Sequence, residues 1–173
     1  IVQSLVGSEM CIRDRICPET GVLFQNRGAG FSLSPGPNCL APGKKPFHTL
    51  NPAMAVMNDG RIVSYGTMGG EGQPQTQAAI FARYAFHGCD LQRAISAPRW
   101  LLGKTWGDDT TSLKLESSFD AKLINELREA NHQVEIVSEN NSLMGHAGSV
   151  VSHPDGRVEA ASDARSDGIA LAG

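Results

Sequence analysis

The sequence predicts a mixed α/β fold, and three observations lead to this prediction. Two pairs of short apolar segments flank the turn sequences Asn58-Asp59-Gly60 and His153-Pro154-Asp155-Gly156, which is the pattern of a β-hairpin. Between these hairpins, apolar residues recur at helical spacing in two or three stretches. Glycine supplies 19 of the 173 residues, above the usual share of about 7%, so we expect many tight turns or a backbone that closely approaches another group.

The elements before the first helix are strands and loops. Residues 21–26 predict a strand, and the Gly-, Pro- and Ser-rich residues 27–46 predict a long loop of the kind that often carries function. The first hairpin pairs residues 53–57 with residues 61–66. Both of its strands are apolar along much of their length, which is typical of a central sheet covered on both faces.

Helices and strands follow in the second half of the chain. Residues 76–87 predict a partly buried helix that ends at Gly88. Asp90 can cap a short helix over residues 91–96, which Pro98 stops. The remaining elements are a strand over 113–116, a helix over 119–131 capped by Ser118, a strand over 134–137, and a hairpin of residues 148–152 and 157–161. Without a repeat or a linker, they predict one layered α/β or α+β domain.

Charge, hydropathy and cysteine content exclude several functional classes. Fifteen basic and 18 acidic residues give a net charge of -3, so we expect neither a nucleic-acid partner nor an anionic membrane surface. No apolar run approaches the roughly 20 residues of a membrane-spanning helix. Cys17, Cys39 and Cys89 form no C-x-x-C pair and lie near no metal-like His spacing, so we expect buried free thiols, no metal and no cofactor. Cytoplasmic and periplasmic locations both stay open.

The first fifteen residues do not match the rest of the sequence. Residues 5–15, Leu-Val-Gly-Ser-Glu-Met-Cys-Ile-Arg-Asp-Arg, resemble the translation of a transposase adapter used in sequencing libraries. Charged residues directly follow the apolar start and no signal-peptide cleavage site is present. We therefore expect residues 1–15 to be a non-native adapter-derived segment and residues 16–173 to be the native part, with a short native N-terminal arm as the alternative.

The glycine-rich residues 66–75 are the main candidate site. They follow a strand and precede a helix, where backbone N–H groups can face an anion. They match neither the phosphate-binding P-loop nor the dinucleotide-binding pattern. Adjacent amides at Gly69 and Gly70 can instead stabilise the oxyanion of a tetrahedral acyl intermediate. A tight turn that needs glycine for its positive φ is the alternative.

No local motif identifies a nucleophile. The sequence has no G-x-S-x-G elbow, and none of its five histidines lies in a catalytic motif. His48 is the most notable of them because it lies in the Gly- and Pro-rich approach to the first hairpin. Thr110 and Thr111 follow two aspartates, which is similar to an autoprocessing site.

Five motifs in order give the chain a strong family resemblance. They are residues 26–33, 41–50, 66–75, 97–100 and 163–167. Together they resemble the C-terminal part of the small subunit of the γ-glutamyltransferase family, in its acylase-like branch, over residues 16–173. The resemblance implies an N-terminal-nucleophile hydrolase with a four-layer αββα sandwich, made when a precursor cleaves itself into two subunits. It also implies a threonine nucleophile at the start of the small subunit, with its own α-amino group as the base.

The resemblance also assigns individual residues. Gly69 and Gly70 match the oxyanion-hole pair of the family. His48 and Thr49 occupy the positions of two serines that hold the substrate carboxylate in the glutathione-cleaving branch. In that branch a glutamine occupies the position of Arg27, and an aspartate that binds the substrate ammonium occupies the position of Gly30. Glycine has no carboxylate, so this chain cannot form that charge-assisted contact. We therefore expect an acyl group without that ammonium, such as a glutaryl-like one, and Arg27 either approaches a carboxylate or forms a structural ion pair.

The nucleophilic threonine of the family has no counterpart among the residues that carry the resemblance. In the family it lies upstream of the position of Gly21, where this sequence has the adapter-like segment, whereas Thr110 and Thr111 fall in a variable loop. We therefore expect the chain to be inactive alone. The resemblance implies two partners: the large subunit from the same precursor, which adds an arginine for the substrate carboxylate, and a small acyl-amide substrate. A noncatalytic α/β module that binds anions at residues 66–72 is the alternative function.

Overall fold

The computed structural model describes residues 15–20, 23–24, 31–45, 51–103 and 110–171. The chain forms two compact units, residues 1–50 and residues 51–173. In the first unit, strand β1 (Arg15–Ile16) pairs antiparallel with strand β2 (Leu23–Phe24). Strand β2 confirms the centre of the strand predicted over 21–26, and the rest of that prediction lies outside the described residues.

A four-stranded antiparallel sheet forms the centre of the second unit. It contains β3 (Ala53–Val56), β4 (Ile62–Met68), β8 (His146–Ser152) and β9 (Val158–Ser162), in the order β3-β4-β8-β9. Both predicted hairpins are confirmed, and Gly60 adopts a φ of 87° in the turn of the first. The two hairpins pair through β4 and β8, which places Met68 opposite His146.

One face of this sheet is covered by helices α1 (Gln73–Ala85) and α2 (Leu91–Ser96). The buried apolar side chains between the sheet and the helices are Val63, Ile80, Tyr84, Leu91, Ala94, Ile95, Ala147, Val151 and Ala161. On the opposite face, large apolar side chains are exposed, and Met54 and Val56 keep 71% and 75% of their surface. Within the described residues the sheet is therefore covered on one face, and the cover predicted for the other face is not found there.

The predicted helices are confirmed, with different bounds for two of them. Helix α1 starts at Gln73 rather than near residue 76, because Pro74 lies in the first turn, where a missing N–H breaks no helical hydrogen bond. Helix α3 (Ala121–Glu129) is capped by Asp120, whose Oδ1 accepts a hydrogen bond from the Lys122 N–H at 2.9 Å. The predicted cap at Ser118 is thus wrong, since Ser118 precedes the true cap by two residues.

A second sheet contains three strands, β5 (Trp100–Leu102), β6 (Leu113–Glu116) and β7 (Val134–Val137). Strands β6 and β7 are parallel and are connected through α3, while β5 and β6 are antiparallel. Strand β5 was not predicted. Gln75 joins α1 to this strand, because its side-chain amide exchanges two hydrogen bonds with the backbone of Leu102, at 2.8 and 2.9 Å.

Candidate functional site

Two adjacent glycines follow the end of β4 and begin a tight turn. Gly69 has a φ of 144° and Gly70 a φ of 53°, and the carbonyl of Gly69 accepts a hydrogen bond from the Gly72 N–H at 2.9 Å in a 3-10 turn. Both glycines are half-buried. Among the residues that the structure describes, no acceptor pairs with the N–H group of either one. The turn interpretation is confirmed, and the same turn contains two neighbouring amides without an acceptor in the described part of the chain.

A third glycine packs against this turn from the neighbouring strand. Gly145, with a φ of 80°, precedes β8 and lies beside Gly69, so that a Cβ built on Gly69 would come within 3.3 Å of the Gly145 Cα. A Cβ on Gly145 would overlap the carbonyl oxygen of Met68 and lie 2.7 Å from Thr67 Oγ1. Only glycine fits at residue 145 without a backbone shift. No local sequence signal predicts this requirement, because it arises from the pairing of β4 with β8.

Four charged side chains form a buried ion network behind this contact. Arg99 Nη2 lies 2.6 Å from Asp163 Oδ2, Arg165 Nη1 lies 3.0 Å from Asp163 Oδ1, and Arg165 Nε donates to Glu116 Oε1 at 2.7 Å. All four side chains are at most 1% exposed, and their charges cancel. Buried charges are tolerated when they are paired and hydrogen-bonded, as these are except at Arg99 Nε, which has no partner in the described part of the chain.

Backbone amides complete the network. Asp163 also accepts hydrogen bonds from the N–H groups of Ala147 at 2.7 Å and Arg165 at 3.0 Å, and Glu116 accepts from the N–H groups of Arg99 at 2.8 Å and Asn141 at 3.0 Å. The network therefore ties together the segments that end β6 and β9 and the segments that begin β5 and β8. Arg99 belongs to the motif at 97–100, and Asp163 and Arg165 belong to the motif at 163–167. Glu116 lies outside the five motifs and was not predicted.

Three members of the network, Asp163, Arg99 and Arg165, are charged at neutral pH. Burial raises the pKa of the Asp163 carboxyl, but the Ala147 N–H and the Arg99 guanidinium lower it further, so the pKa lies below its ordinary value. Burial lowers the pKa of Arg165, and the hydrogen bonds and charge of Glu116 raise it above its ordinary value. Burial lowers the pKa of Arg99, which Asp163 partly offsets, and arginine stays protonated because its ordinary pKa exceeds 12.

Arg99 extends the network to the glycine contact. Its Nη1 donates to the carbonyl oxygens of Met144 at 3.2 Å and Gly145 at 2.9 Å, and its Nη2 donates to the Ile95 carbonyl at 2.9 Å. The buried hydroxyl of Thr76 donates to the same Met144 carbonyl at 3.2 Å. The segment that packs on Gly69 is therefore held by one charged and one neutral side chain.

An open depression of about 590 Å³ lies on the exposed face of the main sheet. Its floor includes Ser64, Gly66, Gly148 and Ala160, and residues 169–171 line one side. Gly66 precedes Gly69 by three residues, roughly 10 Å along a strand. The depression and the glycine turn are therefore neighbours at the end of β4.

The structure describes only part of the site that the sequence predicts. It brings Gly69 and Gly70 together in one turn, whereas Arg27, Gly30, His48 and Thr49 lie outside the described residues. His146 was not predicted; it lies opposite Met68, and its buried Nε2 has no partner in the described part of the chain. The candidate site therefore consists of the glycine turn, Gly145 and the residues that hold it.

The other candidates from the sequence contribute no second site. Thr110 belongs to a polar group on the second sheet, where its Oγ1 accepts a hydrogen bond from Lys114 Nζ at 2.8 Å. Cys17, Cys39 and Cys89 are free thiols that are half-buried rather than fully buried as predicted. Within the described ranges, no cluster of three or more His, Cys, Asp or Glu side chains could hold a metal ion, and no helix is long and apolar enough to cross a membrane.

Comparisons of the sequence with known proteins agree on one family. The gamma-glutamyltranspeptidase family model matches residues 7–173. The oxamate amidohydrolase proenzyme of Klebsiella pneumoniae is 57% identical over 156 residues, which cover 90% of this chain and 30% of the relative. The glutathione hydrolase-like YwrD proenzyme of Bacillus subtilis is 44% identical over 154 residues, which cover 88% of this chain and 29% of the relative. The chain thus spans about 30% of the length of these relatives.

A solved structure shares the fold. The gamma-glutamyltranspeptidase from Pseudomonas nitroreducens, complexed with L-DON, superimposes with a TM-score of 0.63. The match covers 91% of this chain and 85% of that chain, at 18% sequence identity. The likeness establishes the mixed α/β fold of this part of the chain.

Proposed function

Because the chain belongs to the γ-glutamyltranspeptidase family, we propose that it is the part of an N-terminal-nucleophile amidohydrolase that provides the oxyanion hole. The observation that carries this proposal is the turn at Gly69 and Gly70, in which two adjacent amides have no acceptor among the described residues. Such donors accelerate acyl transfer because they bind the oxygen more strongly when it becomes negatively charged than when it is a neutral carbonyl.

The proposed reaction needs a threonine from the remaining part of the protein. Its hydroxyl adds to the amide carbonyl, its α-amino group takes the hydroxyl proton, and the carbonyl oxygen becomes an oxyanion between the amides of Gly69 and Gly70. Collapse of this intermediate expels the protonated amine or ammonia and leaves an acyl ester on the threonine, which water or an acceptor amine then cleaves. The proenzyme names of the similar proteins support a nucleophile released by precursor cleavage.

We further propose a small amide substrate that carries a carboxylate and lacks an α-ammonium group. Gly30 stands where the glutathione-cleaving branch has an ammonium-binding aspartate, so the charge-assisted contact to a γ-glutamyl group is lost. Oxamate, in the name of the relative from Klebsiella pneumoniae, has a carboxylate beside its amide and no ammonium. In this proposal Arg27 pairs with the substrate carboxylate, and His48 and Thr49 donate hydrogen bonds to it.

The exposed face of the main sheet supports a partner from the same precursor. Six large apolar side chains lie on this face and are at least 42% exposed: Met54, Val56, Ile62, Met68, Val150 and Val158. An apolar patch of this kind marks a surface that another protein surface covers. We propose that the large subunit supplies a second sheet that packs there and completes the αββα sandwich.

Kinetics of the full-length enzyme from the source gene test this proposal. We expect hydrolysis of oxamate or of a glutaryl anilide with a kcat/KM at least tenfold above that of the γ-glutamyl anilide. Replacing Arg27→Gln, the residue type of the glutathione-cleaving branch, removes a charged hydrogen-bond partner worth about 1.5–3 kcal/mol, so KM should rise roughly 10- to 100-fold.

Two results would contradict the proposal. A preference for the γ-glutamyl anilide would overturn the proposed substrate class. A folded, processed protein that hydrolyses none of the three amides but binds sulfate at the glycine turn would favour the noncatalytic anion-binding module.

A further inference from the structure

We propose that Arg99 is a positioning residue of the oxyanion hole and acts through the backbone of Met144 and Gly145. This inference rests on the proposed function of Gly69 and Gly70, and it adds a residue that does not itself contact substrate.

Arg99 is held in one orientation. Its side chain is 1% exposed and its Nη2 lies 2.6 Å from Asp163 Oδ2, while the same nitrogen donates to the Ile95 carbonyl at 2.9 Å. Asp163 is fixed in turn by the Ala147 N–H at 2.7 Å and by Arg165. Since a guanidinium is planar and its donors form a rigid fork, these contacts also set the direction of Nη1.

The fixed Nη1 holds the end of a 3-10 turn over Ser142–Met144. It donates to the carbonyl oxygens of Met144 at 3.2 Å and Gly145 at 2.9 Å. Carbonyl groups at the end of a helical turn have no partner within the turn, so a buried donor is needed to hold them in place. Thr76 supplies the second donor to Met144, at 3.2 Å.

Gly145 transmits this restraint to the glycine turn. It packs so closely on Met68 that a Cβ at residue 145 would overlap the Met68 carbonyl, and its Cα would lie 3.3 Å from a Cβ at Gly69. Met68 directly precedes Gly69, so a shift of Gly145 alters the direction of the Gly69 amide. Catalytic donors must be held to within roughly 0.5 Å, and a displacement of 1 Å can lower the rate by about 10².

The substitution Arg99→Lys in the full-length enzyme tests the inference. Lysine keeps the charge beside Asp163 but lacks the planar fork of two nitrogens, of which Nη2 donates to the Ile95 carbonyl and Nη1 to the Gly145 carbonyl. We expect kcat, normalised by titration of the nucleophile, to fall about 10²-fold, with KM within about twofold. The ¹⁵N-labelled glycine amide signals of Gly69 and Gly70 should shift.

Arg83→Lys is the matched control. The Arg83 guanidinium donates to the carbonyls of Ala94, Ala97 and Pro98, at 2.5–3.4 Å. It therefore stabilises the end of α2 and the segment that follows, whereas no hydrogen bond to Gly145 is among its contacts in the described residues. Arg83 is half-buried, and we expect this variant to keep kcat within about twofold, because loss of an arginine fork that only stabilises the fold does not change the rate per titrated site.

Thr76→Val keeps the inference testable if Arg99→Lys does not fold. Valine has nearly the shape of threonine and removes only the hydroxyl donor to Met144, so we expect a three- to tenfold lower kcat with an unchanged KM. Unchanged kcat and unchanged amide signals in whichever variant folds would overturn the inference. An inactive wild-type enzyme would instead overturn the proposed function, and the amide signals alone would then decide whether Arg99 positions the turn.

Discussion

Substituting Asp163→Asn removes one charge from the buried network and changes little else in shape. The Asp163 carboxylate accepts four hydrogen bonds, two from backbone N–H groups and two from the guanidinium groups of Arg99 and Arg165. Asparagine has one acceptor oxygen, so its NH₂ group must face donors on one side. Two guanidinium groups would also share the single negative charge of Glu116.

The expected cost follows from the burial of the network. Removing one partner of a buried ion pair typically destabilises a protein by about 3–5 kcal/mol, because the remaining charge is uncompensated. Asp163 and Arg99 are 0% and 1% exposed in their side chains, so solvent screens this loss little. At about 1.4 kcal/mol per factor of ten, local opening should become roughly 10² to nearly 10⁴ times more frequent.

Hydrogen exchange measures how often this segment opens. The exchange of the full-length protein is followed by mass spectrometry on peptides that cover residues 144–165. Asp155→Asn is the control, because Asp155 is an exposed turn residue whose carboxylate accepts a hydrogen bond from the Arg157 N–H at 3.0 Å. Such surface changes stay within about 0.5 kcal/mol. If Asp163→Asn accelerates exchange of these peptides less than tenfold, the network does not hold the segments together and the reasoning is refuted.

Three further predictions concern the turn, acid stability and the N-terminal segment. Gly145→Ala should lower kcat of the full-length enzyme roughly 10- to 100-fold. Gly88→Ala is the control, because Gly88 also has a positive φ but an added Cβ would meet no atom within 4 Å in the described structure; kcat should stay unchanged, and equal rates for the two variants would contradict the role of Gly145 packing. Because the folded pKa of Asp163 is lowered, its contribution to stability is present above the unfolded value near 4 and is lost as the pH falls through the folded value. Urea midpoints between pH 7 and pH 2.5 should therefore fall at the acid end, and less so in Asp163→Asn; parallel curves would contradict this. Sequencing the source DNA with a ligation-based library should give no codons for residues 1–15, and their recovery would show a native arm.

The glycine turn was predictable because its signal is local. Gly69 and Gly70 lie between an apolar strand and a helix, and this order alone indicates amides that can face an anion. The hairpins and helices are similarly encoded by neighbouring residues, which explains why their positions were predicted and only their ends were wrong. For α3, both Ser118 and Asp120 are good caps, and the turn in which the Phe119 N–H bonds to the Glu116 carbonyl at 3.1 Å leaves the later one to start the helix.

The support of the turn was not predictable, because it is assembled from distant segments. Arg99, Glu116, Asp163 and Arg165 are residue types that usually lie on the surface, and only the pairing of the strands buries them together. Gly145 shows the same limit, since its need for glycine arises from the Met68 carbonyl across β4 and β8. Resemblance located two of the motifs, but their physical role became visible only from these contacts.

The most direct test of the proposed oxyanion hole is a crystal structure of the full-length enzyme with a tetrahedral boronate bound to its nucleophile. The oxygen of the boronate that replaces the oxyanion should lie about 2.7–3.1 Å from the backbone nitrogens of both Gly69 and Gly70. An oxygen more than about 3.5 Å from both nitrogens, beyond hydrogen-bond distance, would contradict the assignment of this turn.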